Sequence, residues 1–210
     1  MSDEQIPGDL PDHVYGFALV HIAIRRDARR LAEAAPALQP VLLPRVRTWW
    51  RQVRAVIDWH HRSENEVLWP ELRRRVRGFA ADERVMRHDH IALDNAMKAI
   101  SAALAPGGDR VALEQTVTWF DALVAEHLTL EEAVLFPIFR TGIGADEYLE
   151  IERRVLALAR PNVMAFLLPW LFDGVGAEVA AKAAATIPPP LRLLGRTVLR
   201  RRYYHKLRWW

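Results

Sequence analysis

Apolar residues recur at helical spacing along most of the chain, and the alternation that marks β-strands is nearly absent. Turn signals divide this pattern, the strongest being the PGGD stretch at residues 106–109. The spacing predicts four long helices, over residues 12–34, 45–76, 82–105 and 109–139. Because the predicted connections are short, an all-α, up-down-up-down four-helix bundle is the favoured architecture.

Individual residues predict how these helices begin and break. Asp82 and Asp109 each precede a periodic apolar run and are the predicted N-caps of the third and fourth helices. Pro70 predicts a kink or break in the second helix, because proline lacks a backbone hydrogen-bond donor. Gly78 is the predicted end of that helix.

Beyond residue 142 the apolar segments become shorter, which indicates a separate extension. We divide the chain into a flexible N-terminus (1–11), the bundle (12–142) and a C-terminal helical extension with a basic tail (143–210). The helices predicted in the extension are one capped by Asp146 that ends before Pro161, one containing NVMAFLLPWLF, an alanine-rich one over 177–186, and a basic one after the proline triplet 188–190. Because the extension is strongly apolar, we expect it to pack against the bundle.

Composition excludes several kinds of chemistry. The 210 residues are 51% hydrophobic and 26% charged, as in ordinary globular proteins, and include no cysteine. Disulfides and thiolate ligands are therefore excluded, and any metal ion must be held by nitrogen and oxygen atoms. The N-terminal stretch does not read as a signal peptide, and no apolar run reaches the roughly 18 residues that a membrane span needs. The expected location is cytoplasmic.

The positive charge is concentrated at the C-terminus. The last twenty residues carry seven basic and no acidic residues, so the preceding 190 residues sum to −4 within a net charge of +3. Tyrosines and tryptophans accompany these basic residues, and contact with a membrane surface is a minor alternative to docking on the protein itself. No nucleic-acid-binding motif is present, so no nucleic-acid partner is expected.

The segment HHRSENEVLWP, at residues 60–70, returns 67 residues later as HLTLEEAVLFP. At this offset His60 matches His127 and Glu64 matches Glu131. A histidine and a glutamate four residues apart lie side by side on one helix face. Each pair can therefore give a nitrogen to one metal ion while its carboxylate reaches across to a second.

The other two helices carry a second match, HIAI from His21 and HIAL from His90. In an antiparallel hairpin, residues equidistant from the turn lie at the same height. The midpoint of His21 and His60 is 40.5 and that of His90 and His127 is 108.5, and both positions lie in predicted connections. Four histidines, one from each helix, are thus predicted to meet beside the two glutamates, as in bundles that hold two iron ions.

This pattern resembles that of the hemerythrin-like (HHE cation-binding) domains, which have a histidine on helices one and three and His-x-x-x-Glu on helices two and four. The resemblance covers residues 12–140 and includes the LWP and LFP runs, and the extension resembles that of actinobacterial members. It implies a non-haem di-iron centre with an oxo or hydroxo bridge, in which manganese or zinc can replace iron. The metal ligands it implies are His21, His60, Glu64, His90, His127 and Glu131.

Two positions depart from the pattern of oxygen-carrying hemerythrins. Those proteins have a further histidine where this chain has Met86, and an aspartate where it has Glu132. With one nitrogen fewer, one iron is expected to have an additional open or water-filled position. The departure weakens the case for reversible oxygen storage and favours peroxide, nitric oxide or redox chemistry.

Other polar residues near the repeat are interpreted as less direct participants. His61 is about 100° around the helix from its neighbour and has no histidine counterpart in the other copy, so we expect it at the bundle surface or outside the ligand shell. His88 is a minor alternative to His90, which continues an inward apolar stripe. Glu66 and Glu132 are expected to be solvated or to lie behind the ligands.

Two classes of function follow from this reading. The first is a di-iron protein that binds or senses oxygen, nitric oxide, peroxide or iron itself. The second is a catalase-like enzyme that decomposes peroxide. A bundle that has lost its metal is the third interpretation, and the doubled pattern argues against it. The sequence indicates no further substrate pocket and no separate general base, which favours binding and redox chemistry.

Overall fold

The computed structural model describes residues 6–185 and 199–207, and all regular structure within them is helical, which confirms the predicted all-α class. The helices of the bundle are α1 (Tyr15–Ala34), α2 (Leu43–Ser63), α3 (Trp69–Arg75), α4 (Phe79–Ala103) and α5 (Arg110–Thr141). The helices described in the extension are α6 (Ala145–Ala157), α7 (Pro161–Leu171), α8 (Ala177–Ala185) and α9 (Arg200–Lys206).

Contacts between the helices show that neighbours in the bundle run antiparallel. Arg110 at the start of α5 donates to the carbonyl oxygen of Pro36, just after α1, whereas Arg140 near the end of α5 pairs with Asp9, ahead of α1. The start of α2 likewise contacts the end of α4, through the pairs Arg47–Leu104 and Trp50–Ser101. Asn65, just after α2, contacts Arg87 in the first half of α4. This order matches the predicted up-down-up-down bundle.

The irregularity predicted near Pro70 is a π-helical turn, Glu64–Leu68, which joins α2 to α3. Pro70 lies in the first turn of α3 and cannot donate a backbone hydrogen bond, and a proline ring crowds the carbonyl four residues earlier, here that of Glu66. A wider turn accommodates that crowding. The irregular segment begins at Glu64, a predicted metal ligand, and π-turns are often found at functional sites.

One of the two predicted caps of the bundle is confirmed. The Asp109 side chain accepts a hydrogen bond of 2.8 Å from the backbone N–H of Val111 at the start of α5. For α4 the prediction was wrong, because the helix begins after Gly78 and not at Asp82. Gly78 has φ 90°, a conformation that only glycine adopts without strain. It forms the turn after α3 and is also the residue from which α4 begins. Asp82 lies in the first helical turn, where its charge favours the helix dipole.

The extension packs on the α1 and α2 side of the bundle, as its apolar content predicts. Asp173, which is 7% exposed, accepts hydrogen bonds from Arg30 of α1 at 2.6 Å and from Tyr203 of α9 at 3.0 Å. Trp170 of α7 donates from its indole nitrogen to Asp27 of α1 at 2.7 Å. These buried polar contacts fix the extension at one position on α1.

One prediction about the extension was wrong, and others concern residues outside the described ranges. Helix α6 begins after Gly144, so Asp146 is not its cap but a residue of its first turn. The proline triplet at 188–190, the start of the basic segment and the two terminal tryptophans lie outside the described residues. In the parts of the chain that are described, no helix is long and apolar enough to cross a membrane.

A second contact between bundle and extension yields a prediction about stability. Glu71 of α3 is 3% exposed and accepts a hydrogen bond of 2.6 Å from Arg154 of α6, and it also pairs with Arg74 and Arg75. These hydrogen bonds, chiefly that from Arg154, lower the pKa of Glu71 to about 2. The contribution of Glu71 to stability is therefore complete above its unfolded pKa and is lost as the pH falls toward 2.

We expect Glu71→Gln to lower the free energy of unfolding by about 1–3 kcal/mol at neutral pH, because three cations lose their charged partner. The difference from the wild type should shrink at pH 3. Urea unfolding at both pH values measures it. The control is Glu150→Gln, whose partner Arg153 and own side chain are more than half exposed, and which should change stability by less than about 1 kcal/mol. Equal effects of the two substitutions would contradict the prediction.

Candidate metal centre

The predicted histidines of the four long helices meet inside the bundle. The ring centroids of His21 and His60 are 5.2 Å apart, and those of His90 and His127 are 4.8 Å apart. All four residues are at most 5% exposed. The antiparallel packing of α1 with α5 and of α2 with α4 brings these positions to one height, as the spacing predicts.

The donor atoms form two groups. In the first, one atom from each of His21, His60, Glu64 and Glu131 lies within 4.8 Å of the others, and we name it the two-imidazole group. In the second, ring nitrogens of His61, His90 and His127 lie within the same distance of one another, and we name it the three-imidazole group. Together they contain all six predicted ligands and one further histidine.

His61 is the residue that the sequence reading misplaced. It is 8% exposed, its ring stacks on that of His90 with centroids 3.9 Å apart, and it lies 5.8 Å from the ring of His127. Of the two predicted positions, the one at the bundle surface was wrong, because the inward stripe of a bundle helix is at least about 100° wide and two consecutive residues can both face the interior. His61 places a third imidazole beside those of His90 and His127.

The two glutamates connect the groups. Glu64 has one carboxylate oxygen 3.1 Å from His60 Nε2 and the other 3.5 Å from His90 Nε2, so its two oxygens face different groups. Glu131 Oε2 lies 3.6 Å from His21 Nε2 and 3.5 Å from His127 Nε2. Each carboxylate therefore lies between an imidazole of one group and an imidazole of the other, as a ligand that bridges two cations would.

Nine buried polar atoms of this cluster make no hydrogen bond within the described residues. They are Nε2 of His21, His60, His90 and His127, Nδ1 of His127 and the carboxylate oxygens of Glu64 and Glu131. Each unsatisfied group costs about 1–3 kcal/mol, so together they cost as much as, or more than, the roughly 5–15 kcal/mol of net stability of a typical domain. Coordination of cations would satisfy the Nε2 atoms and the carboxylate oxygens together, and imidazole and carboxylate suit iron, manganese and zinc. The residues fit a resident metal centre.

Burial favours the neutral form of several imidazoles of the centre. It lowers the pKa of His127 to about 3 and those of His60 and His61 well below the ordinary value. A neutral imidazole has a lone pair free to bind a metal ion. Burial also raises the pKa of Glu64, with the nearby charge of Glu131 as the second cause, and burial raises the pKa of Glu131. Two ionised carboxylates this close in an apolar interior repel each other, and a shared proton or a cation between them relieves that repulsion.

Behind the candidate centre, Glu132 pairs with His21, one of the predicted ligands. Its carboxylate accepts a hydrogen bond of 2.9 Å from Nδ1 of the ring and one of 2.6 Å from Arg25. Because a neutral imidazole carries one proton, a proton held on Nδ1 leaves Nε2 free to face the centre. The expectation that Glu132 lies behind the ligands agrees with this position.

The corresponding contact of His90 is of a different kind. The amide nitrogen of Asn65 lies 3.3 Å from His90 Nδ1, and Arg87 donates at 2.8 Å to the amide oxygen of Asn65. An amide N–H next to Nδ1 favours the tautomer whose proton is on Nε2. Metal binding through His90 Nε2 would therefore require the amide to turn its oxygen toward the ring.

The remaining residues singled out in the sequence lie elsewhere. His88 and Glu66 are exposed, and neither belongs to a donor group. Trp69 and Phe136, expected in the core, are buried. The Trp69 ring stacks on that of His90 with centroids 4.7 Å apart, so it also forms a wall of the centre.

A helical bundle with a buried layer of imidazoles and carboxylates defines the class of metal-binding four-helix bundles. Comparison with protein families is more specific, because the hemerythrin HHE cation binding domain matches residues 12–150. The chain belongs to this family. Comparisons with curated proteins and with solved structures give no match.

The position of His61 predicts a change in metal content. We expect His61→Leu to reduce the iron retained after anaerobic reconstitution and desalting from about two ions per chain to about one, because one ion would lose a third of its imidazoles. Metal analysis measures the content, and the melting temperature reports whether the variant folds. His88→Leu is the control, since His88 is exposed on α4. Unchanged iron content in His61→Leu would exclude His61 as a ligand.

The hydrogen bond from His21 to Glu132 predicts an effect on affinity. Glu132→Ala should weaken metal binding by about 10–100-fold, because the imidazole loses the acceptor that fixes its tautomer. Competition with a chelator measures the affinity. Glu126→Ala, an exposed glutamate of the same helix, should leave it unchanged. If both variants bind metal as the wild type does, Glu132 has no such role.

Proposed function

We propose that this protein is a non-haem di-iron protein that binds or senses a small ligand such as oxygen, nitric oxide or peroxide. The proposed metal ligands are His21, His60, Glu64, His90, His127, Glu131 and, in addition to the sequence-based set, His61. Iron would supply Lewis acidity and a one-electron redox couple. Manganese or zinc can occupy the same nitrogen and oxygen donors.

The observation that carries this proposal is the double role of the glutamates. Glu64 and Glu131 each lie between imidazoles of the two groups, and both residues are at most 1% exposed. A single cation would use only part of this donor set. Two cations, one in each group, would use all of it and would separate the two carboxylate charges.

The difference between the groups indicates where an external ligand would bind. The three-imidazole group offers three nitrogens, whereas the two-imidazole group offers only His21 and His60 beside the shared carboxylates. The ion with fewer protein nitrogens has more of its coordination left for an external molecule. We infer that the small ligand binds on the side of His21 and His60.

Reversible binding is favoured over peroxide decomposition. The case for an enzyme rested on a missing nitrogen at Met86, and His61 lies where it compensates for that loss. No further acid or base is needed to hold a diatomic ligand at the centre. Catalase-like turnover remains the second function that the open side of the two-imidazole group supports.

The test is to load the purified protein with ferrous iron without oxygen and then expose it to nitric oxide, oxygen or peroxide. We expect about two irons per chain and a stable, saturable change in the absorption spectrum with nitric oxide or oxygen. Glu64→Ala and His127→Ala should lose both the iron and the spectral change, because each removes a buried ligand atom. His88→Ala should behave as the wild type.

Two results would contradict this reading. Rapid evolution of oxygen from peroxide, abolished in Glu64→Ala, would make the protein an enzyme and not a binder. Protein that retains no iron, manganese or zinc after reconstitution would remove the metal centre altogether.

A further inference from the structure

The bundle and the extension enclose an apolar pocket of about 130 Å³. Phe17 and Trp59 of the bundle, Ile151 of α6, Leu167 of α7 and Ala183 of α8 line it. The sequence pattern did not indicate this pocket. The walls come from segments far apart in the chain, so the pocket exists only through their packing.

The pocket reaches the candidate metal centre from one side. Its lining includes His60 and Glu64, both of the two-imidazole group, and none of the three-imidazole histidines. A molecule in the pocket would therefore lie beside the group that has fewer protein nitrogens. Leu156, another lining residue, is 36% exposed, so the wall extends to the protein surface there.

Glu152 is a polar residue of the lining that does not belong to either donor group. The Glu152 carboxyl makes no hydrogen bond or ion pair within the described residues, although it is only partly exposed. Burial raises the pKa of Glu152 to about 7, so near neutral pH the group can donate or accept a hydrogen bond. Tyr148 of the same helix is buried and lines the pocket next to it.

Size and polarity together limit what can bind. An apolar cavity of about 150 Å³ in another protein holds one benzene molecule, so the volume of this pocket suits a ligand with a single aromatic ring. An anion would meet the carboxyls of Glu64 and Glu152 and would also lose its hydration, which costs several kcal/mol without a partner. A neutral molecule with one hydroxyl would bury its ring and satisfy Glu152.

We propose that this pocket binds a small neutral aromatic alcohol, with its ring against α7 and α8 and its hydroxyl hydrogen-bonded to Glu152. The site borders the candidate metal centre at His60 and Glu64, and the bundle and the extension share its lining. Its proposed hydrogen-bonding partner, Glu152, is not a proposed metal ligand, so phenol binding can be tested in the 210-residue chain with and without metal.

The experiment is calorimetric titration of the full-length protein with phenol, benzene and benzoate. We expect saturable binding of one phenol per chain, and benzoate should bind at least about tenfold more weakly. Glu152→Leu should remove the preference for phenol over benzene, because the hydrogen-bonding partner is lost while the apolar wall is kept.

Ala183→Phe places a ring in the pocket and should weaken phenol binding at least about tenfold. Ala181→Phe, an exposed position on the same helix, is the matched control and should bind as the wild type. If Ala183→Phe does not fold, Leu167→Ala replaces it. That variant enlarges the pocket and should shift the preference from phenol toward 2-naphthol.

Absence of saturable phenol binding to the wild type would overturn the proposal. So would equal phenol affinity in a folded Ala183→Phe variant, or an unchanged preference between phenol and 2-naphthol in Leu167→Ala. Binding to both metal-free and iron-loaded protein would support it. If the wild-type protein binds phenol but retains no iron, the proposed metal function is refuted while the proposal for this pocket is retained.

Discussion

The structure depends on the burial of imidazole Nε2 nitrogens and carboxylate oxygens in a layer where no hydrogen bond from the described residues satisfies them. Aromatic rings enclose this layer: Phe17 packs against His21 and His60, and Trp69 stacks on His90. These rings exclude water and so increase the cost of leaving the polar atoms unpaired. One proton shared by Glu64 and Glu131 could satisfy some of their oxygens but none of the imidazole nitrogens. Cations are the partners that can satisfy the whole layer.

The sequence predicted the bundle and the convergence of the six paired histidine and glutamate positions, because both follow from short-range rules. Helical periodicity defines the inward stripe, and the four-residue spacing fixes each histidine beside its glutamate. The inward position of His61 was missed because comparison of the two repeat copies pairs it with Leu128. The methionine at position 86 was the available signal that an imidazole from another position lies in this group. Distances between groups, however, depend on packing that no local rule gives.

The two copies of the repeat have different surroundings. Pro70 follows a π-turn, whereas Pro137 lies within the uninterrupted helix α5. The two similar sequences therefore adopt different backbone conformations. The extension covers the side of α1 and α2 and places its pocket against His60 and Glu64. The duplicated hairpins therefore supply similar side chains to two groups that differ in nitrogen number and in access. The difference in access depends on long-range contacts, such as those of Asp173, that hold the extension against α1.

The most direct measurement is anomalous diffraction at the iron edge from crystals of the iron-loaded protein. Two peaks are predicted, one among His61, His90 and His127 and one beside His21 and His60, with Glu64 and Glu131 in contact with both. A single peak would contradict the proposed pair of ions. No peak, together with imidazoles turned away from one another, would contradict the metal centre itself.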